Sequence, residues 1–272
     1  MAKWRRRLAD VLLRVNGLLS SHKLSAQRRN ANGLVFAPHP DDEVLGCGGV
    51  IALKAQLGAR VMVVIMTDGR ASHGTLIAED ELVRIRRAEA EEAARRLGPG
   101  VDYVFLGFED HRLSRYGEIA CDQVANIIHE FHPDEIYLPN RYEDNTDHIE
   151  TNHIVRRAVE RVNRPVVLLE YPVWLWHGWP WTEGGASHSS GKLRGVLRRI
   201  RDVTEIVLAC QARMDVRNVL DCKRAALAAY RSQTQRLSGD PGWPVLSDVA
   251  HGEFLRRLQT EIEIFRVTHY EP

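Results

Sequence analysis

From residue 33 onward the chain keeps one rhythm: a short run rich in β-branched residues, then a longer stretch with helical spacing of its apolar side chains. No other feature limits the fold as strongly. A strand, an amphipathic helix and a second strand close as a βαβ unit, and a string of such units builds a mostly parallel sheet covered by helices. The segments 34–37, 60–66, 103–106, 135–138, 166–171 and 205–208 read as strands. Helices are expected over 49–57, 80–97, 121–131 and 148–162, with two more near 221–231 and 252–267. The fold class expected is α/β: a Rossmann-like three-layer sandwich with a mostly parallel sheet and a C-terminal elaboration. A GxGxxG turn opening the first helix is missing, which argues against dinucleotide binding.

Composition sets the boundaries. A chain of 272 residues, 44% hydrophobic and 27% charged, has material for a full core. No repeat or low-complexity linker divides it, so residues 33–272 are expected to form one domain. Four scattered cysteines without CxxC spacing suit neither a disulfide framework nor a thiolate zinc site, and read as reduced, mostly buried thiols. Residues 1–32 differ, with eight Lys/Arg against the single Asp10, so this arm carries +7 of a net +1 and the rest carries −6. Nucleic acid is therefore not an expected partner of the body. Trp4, Leu8, Val11, Leu12, Val15, Leu18 and Leu19 share one helical face beside arginines. Such a helix lies on a membrane surface or docks on protein, and Arg14 and Asn16 keep it from spanning a bilayer. The location expected is cytoplasmic, with peripheral contact at the inner membrane face through residues 1–32.

The stretch "LVFAPHPDDEVLGCGGV", residues 34–50, places His39, Asp41, Asp42 and Glu43 directly after the first strand. Ligands bind such sheets in the crevice outside the carboxyl ends of the strands. Imidazole nitrogen and carboxylate oxygen are ligands of a catalytic zinc, which takes three protein groups and keeps one position open. His39 and Asp42, three apart on a tight turn, can converge on one ion, leaving Asp41 free. A third ligand is available after the strand at 135–138, where "NRYEDNTDHIETNH" offers Asp144, Asp147, His148 and His153. Two acid-and-histidine clusters at two strand ends point to a metal site.

These residues resemble the LmbE/PIG-L family of zinc-dependent N-deacetylases, whose signature "APHPDDEVLGCGG" is similar to. Further segments resemble the family in order: "MTDGRAS", Arg86 and Glu89 in a helix ending "RRLG", "FLGFED", "PDEIYLPN", the Asp147–His148 pair and "KRAALAAYRSQ". The likeness spans roughly residues 33–265 and implies an LmbE-like fold, with one Zn2+ per chain or another divalent ion on His39, Asp42 and His148. It implies Asp41 as general base, with Asp147 and Asn145 completing the catalytic set. Many relatives read His-x-Asp-His where this chain has Asn145-Thr146-Asp147-His148. An asparagine amide can donate to an oxyanion but carries no transferable proton. Asp41 would then act alone as acid and base, unless His73, His153 or a histidine of 177–188 folds in.

Arg86 is expected by resemblance to bind substrate oxygens, although a helix dense in Arg and Glu also reads as a solvated face. Asp68, just past the second strand, either orients substrate or caps a turn. Four of the six tryptophans fall within residues 174–181. Trp174 and Trp176 are candidates for stacking on a sugar ring, and core packing and dimer contact are the other readings. The substrate class implied is an N-acetylated sugar or glycoconjugate. The alternative is a non-catalytic, metal-stabilised glycan-binding or scaffold protein on the same fold.

Overall fold

A computed structural model describes residues 3–20, 22–23, 30–182, 192–237 and 239–272. Its strands are β1 (His22–Lys23), β2 (Gly33–Ala37), β3 (Val61–Thr67), β4 (Val101–Phe108), β5 (Glu135–Pro139), β6 (Val166–Tyr171), β7 (Ala212–Asp215) and β8 (Ile262–Tyr270). They form one sheet in the order β1-β7-β8-β6-β5-β2-β3-β4. Only β8 runs antiparallel to its neighbours, β6 and β7. The helices are α1 (Lys3–Leu19), α2 (Asp42–Gln56), α3 (Glu79–Leu97), α4 (Gly117–Phe131), α5 (Thr146–Val162), α6 (Lys192–Thr204), α7 (Leu220–Ala229), α8 (Arg231–Thr234) and α9 (Glu253–Leu258). The expected mostly parallel α/β class is what forms.

Alternation along the strands splits the core into two layers, as the two-residue pleat requires. Leu34 and Phe36 of β2 face α4 and α5, whose Val124, Ile128, Ile154 and Val155 complete that layer. Val35 and Ala37 face the other way, toward Val50 and Ile51 of α2 and Ala90 and Ala93 of α3. A strand buried on both faces has little polar residue to show, which is why 34–37 is continuously apolar.

Three expectations change. The segment 205–208 is a π-helical turn, Glu205–Ala209, and no strand. A π turn leaves carbonyls out of register, and the buried Asn16 of α1 satisfies them: its Nδ2 donates to the carbonyls of Ile206 (3.0 Å), Val207 (3.3 Å) and Cys210 (2.8 Å). The helix expected over 252–267 is α9 followed by β8, because Ile262–Tyr270 pairs with β6 and β7, segments far away in sequence. The helix expected at 49–57 starts at Asp42 and breaks at Cys47 (φ −145°). Beyond the break, the amides of Gly49 and Val50 donate to Glu263 of β8, both at 2.8 Å, and before it the carbonyl of Leu45 accepts from Lys223 of α7 at 3.1 Å. Lys223 and Glu263 are themselves paired at 2.7 Å. Residues 183–191, including His188, lie outside the described residues, as do most of 21–29.

Close approach explains the glycines that follow the acids. A Cβ on Gly46 would lie 2.2 Å from the ring of Tyr171, and one on Gly49 2.7 Å from Val216. Tyr171 is fully buried, its hydroxyl bonded to the carbonyl of Phe36 at 2.8 Å. Gly46→Ala should therefore destabilise the protein by about 1–3 kcal/mol through overpacking, read as a lowered urea midpoint with an unchanged m-value.

Candidate metal centre

The centre sits at the carboxyl ends of β2, β4 and β5, where three loops meet. The β2 loop turns sharply at Asp41, which occupies φ 118° as the residue before α2 and whose carbonyl accepts from Val44 (3.0 Å) and Leu45 (2.9 Å). An aspartate held at such a φ is a strained backbone position of the kind that accompanies functional sites. The turn brings His39 Nδ1 to 3.0 Å from Asp42 Oδ2, and α5 brings His148 Nε2 to 3.1 Å from the same oxygen. The three ligand atoms all lie within 4.8 Å of one another and are buried.

His148 is the telling residue. It is completely buried, yet neither ring nitrogen makes a hydrogen bond among the described residues. Nε2 stands close to Asp42 Oδ2 in an orientation that bonds it poorly, as when both atoms address a third body. A buried polar atom without a partner is costly, so this arrangement fits a divalent cation at the convergence point.

Electrostatics reinforce that fit. Burial works against an ionised Asp42, yet His148 and His39 hold its carboxyl well below the usual range. Burial would likewise lower the His39 imidazole, but Asp110, Asp147 and Asp42 outweigh it and raise it well above 6.5. The cluster demands positive charge. Asp41 shifts the other way: burial raises its carboxyl, opposed by Arg86, whose Nη2 lies 3.4 Å away.

The remaining expected residues separate. Asn145 caps α5, its side-chain oxygen accepting from the Asp147 amide at 2.8 Å, and it lines the same pocket as His39, Asp41 and Asp42. Asp147 accepts from the amides of His111 (2.7 Å) and Leu113 (3.3 Å) and lies 3.5 Å from His39 Nε2. Arg86 also lines the pocket but is buried, with Nη1 on the Gly69 carbonyl at 3.2 Å and Nη2 on that of Pro40. Asp68 is occupied by Arg70 (2.7 Å) and the amide of Asp110 (3.4 Å). Trp174 borders the pocket and stacks on Phe254 at 4.9 Å, whereas Trp176 is packed edge-on against Trp181 at 5.1 Å in the core. His73 donates to or accepts from neighbours on both ring nitrogens in the pocket wall, and His153 is exposed on α5.

The pocket encloses about 210 Å³. Its far wall comes from the C-terminal part of the chain, through Gln233, Pro244, Val245, Leu246 and Val249. A larger cavity of about 280 Å³ opens at the opposite end of β5 and β6, away from the convergent ligands.

The family model described as PIG-L, GlcNAc-PI de-N-acetylase, matches residues 34–159. Residues 34–159 form a PIG-L (LmbE-like) domain. The match contains all three convergent ligands and Asp41. Over 217 residues the chain is 29% identical to the probable N-acetyl-α-D-glucosaminyl L-malate deacetylase 2 of Bacillus cereus, covering 76% of this chain and 86% of that one. The N,N'-diacetylchitobiose deacetylase of Pyrococcus horikoshii superposes with a TM-score of 0.59 at 21% identity, over 98% of this chain and 94% of that one. The 4-carboxy-2-hydroxymuconate hydratase of Pseudomonas putida superposes with a TM-score of 0.58 at 17% identity, over 89% and 97%. One fold thus carries a deacetylase and a hydratase, and the site must decide the reaction.

In this PIG-L domain the residue that sequence reasoning passed over is Asp110. It lies just past β4, the same strand-end position that singled out Asp68, and stands 3.0 Å from His39 Nε2. His39 thereby presents Nδ1 inward while a carboxylate holds its other nitrogen, an arrangement that fixes ring orientation and basicity. Glu143 stands in a comparable place 3.6 Å from His148 Nδ1; burial pushes its carboxyl up to about 8. Asp110→Asn should weaken divalent-metal affinity about 10–100-fold with the fold retained, measured by competition with a chromogenic chelator.

Proposed function

We propose that this protein is a zinc-dependent hydrolase that removes the N-acetyl group from an N-acetylated amino sugar or glycoconjugate. The observation that carries the reading is the division of labour around one point: His39, Asp42 and His148 converge, and Asp41 stands beside them outside the ligand set. The deacetylase names of the relatives support the acyl-transfer class over hydration. A cation bound by two neutral imidazoles and one carboxylate keeps net positive charge and supplies Lewis acidity toward an amide carbonyl and a water.

Asp41 supplies the proton chemistry. Burial raises its carboxyl, which strengthens it as a base, and Arg86 at 3.4 Å keeps the anion accessible. It takes a proton from the attacking water and returns it to the departing amine. Asn145 uses its oxygen in the helix cap, leaving the amide Nδ2 as a donor toward developing negative charge in the pocket. Arg86 ties the Pro40 and Gly69 carbonyls and so sets the height of Asp41. Trp174 offers an indole at the pocket edge for a sugar face.

The roles separate experimentally. Purified protein is expected to hold about one zinc per chain, and His148→Ala to lose most of it by elemental analysis. Asp41→Asn should keep its metal while acetate release falls about 10²–10⁴-fold, whereas Asp42→Asn should lose metal first. Full zinc with no acetate released from a panel of free, nucleotide-linked and lipid-linked N-acetylated sugars would instead favour the glycan-binding reading, for which Asn145 is the motive.

His111 is a second source for the leaving-group proton. It lines the pocket with Asn145, and its backbone occupies φ 62°, with its N–H donating to Asp147 Oδ2 at 2.7 Å. His111→Gln should lower turnover on an ordinary amide by about tenfold or more, and far less on an acetanilide with a nitro group, whose amine leaves without protonation.

A further inference from the structure

Thirteen large apolar side chains are exposed among the described residues, and nine of them gather on two helices and the turn between them. On α1 these are Trp4, Val11, Val15, Leu18 and Leu19, with Leu18 86% exposed. Their spacing places them on one stripe of the helix, opposite the face through which Ala9 and Asn16 enter the core. On α6 they are Val196, Leu197 and Ile200, and the ninth is Leu208. Both helices lean on the Glu205–Ala209 turn: α6 runs straight into it, and α1 is fastened to it by the three bonds of Asn16. The apolar surface is therefore built into the fold and is not a frayed end.

Basic side chains outnumber acidic ones on its flanks. Lys3, Arg7 and Arg14 border the α1 stripe on the solvent side, and Arg199 is exposed beside Ile200. Asp10 is the single acid within α1. A protein partner of ordinary composition would need matching acids, whereas an anionic bilayer offers apolar depth and negative headgroups together. A scattered set of apolar residues would need no explanation, but this concentration does.

Another face of α6 reaches the pocket rim. Arg198 of α6 is paired with Asp144, and Arg201 bonds the carbonyl of Tyr142 at 3.2 Å, in the loop that leads to the pocket-lining Asn145. We propose that α1, α6 and Leu208 together form a docking surface for an anionic lipid bilayer, through which the protein associates peripherally beside its pocket. No helix among the described residues is long and apolar enough to cross the membrane, so association is by partial insertion.

The test uses the full chain and does not depend on the reaction. The protein should float with vesicles of phosphatidylcholine and phosphatidylglycerol, float at least about tenfold less with phosphatidylcholine alone, and be released by high salt. Leu18→Glu with Ile200→Glu, both at exposed positions, should cut binding by about tenfold or more without changing the thermal midpoint or zinc content. Lack of binding by the wild type, binding unaffected by the double substitution, or equal binding to neutral vesicles would overturn the proposal. So would a wild-type dimer that this substitution makes monomeric without lipid, because a second copy would then be the occupant.

Discussion

Everything about the site follows from the burial of acid charge at the ends of parallel strands. Asp41, Asp42, Glu43, Asp110 and Asp147 are all 6% exposed or less, and an ionised carboxylate taken from water without compensation is among the costliest groups a fold can bury. Each has found a different answer: Asp110 faces His39 Nε2 at 3.0 Å and accepts from the amide of Ala71 at 3.1 Å. Asp147 takes two backbone amides, and Asp41 faces Arg86. Glu43 collects the hydroxyls of Tyr103 and Tyr230 and the amide of Asp41, and burial still pushes its carboxyl up to about 7. Asp42 takes the amide of His39 at 3.0 Å and has the two imidazoles of His39 and His148 converging on the same oxygen, a donor set that suits a divalent cation.

That arrangement holds because the far end of the chain is folded back onto the first motif. Glu263 of β8 and Lys223 of α7 cap the break in α2, and Tyr230 reaches Glu43. Glu89 of α3 accepts from the amide (2.7 Å) and hydroxyl (2.6 Å) of Ser232, which fixes the stretch that leads to the outer pocket wall. The C-terminal elaboration is thus both a brace for the ligand turn and the surface that shapes the space for substrate.

The arm illustrates how amphipathicity can be read correctly and oriented only by the whole molecule. Its helix does carry the Trp/Leu/Val stripe, but the residues fastening it to the body are Ala9 and Asn16, on the other side. Asn16, which in the sequence only interrupted an apolar stretch, is the amide that satisfies the π turn.

The strands 34–37, 135–138 and 166–171 and the helices at 80–97 and 148–162 were legible because their pattern is local: a strand buried on both faces is apolar throughout, and an amphipathic helix repeats every three to four residues. That His39 and Asp42 would meet a group from the loop after β5 was legible for a related reason, since strand ends of a parallel sheet share one crevice, but only the family resemblance singled out His148 among Asp144, Asp147, His148 and His153. Tertiary structure alone decided the rest. Ile262–Tyr270 became a strand because β6 and β7 were there to pair with it, and Glu205–Ala209 became a π turn because Asn16 could take its carbonyls. Asp110 and Glu143 stand behind the two imidazoles, and Trp176 went into the core while Trp174 stayed at the pocket. Most of these outcomes rest on contacts between residues tens to hundreds of positions apart, and a local pattern holds no record of which distant group will arrive to pair a carboxylate, cap a carbonyl or cover a ring.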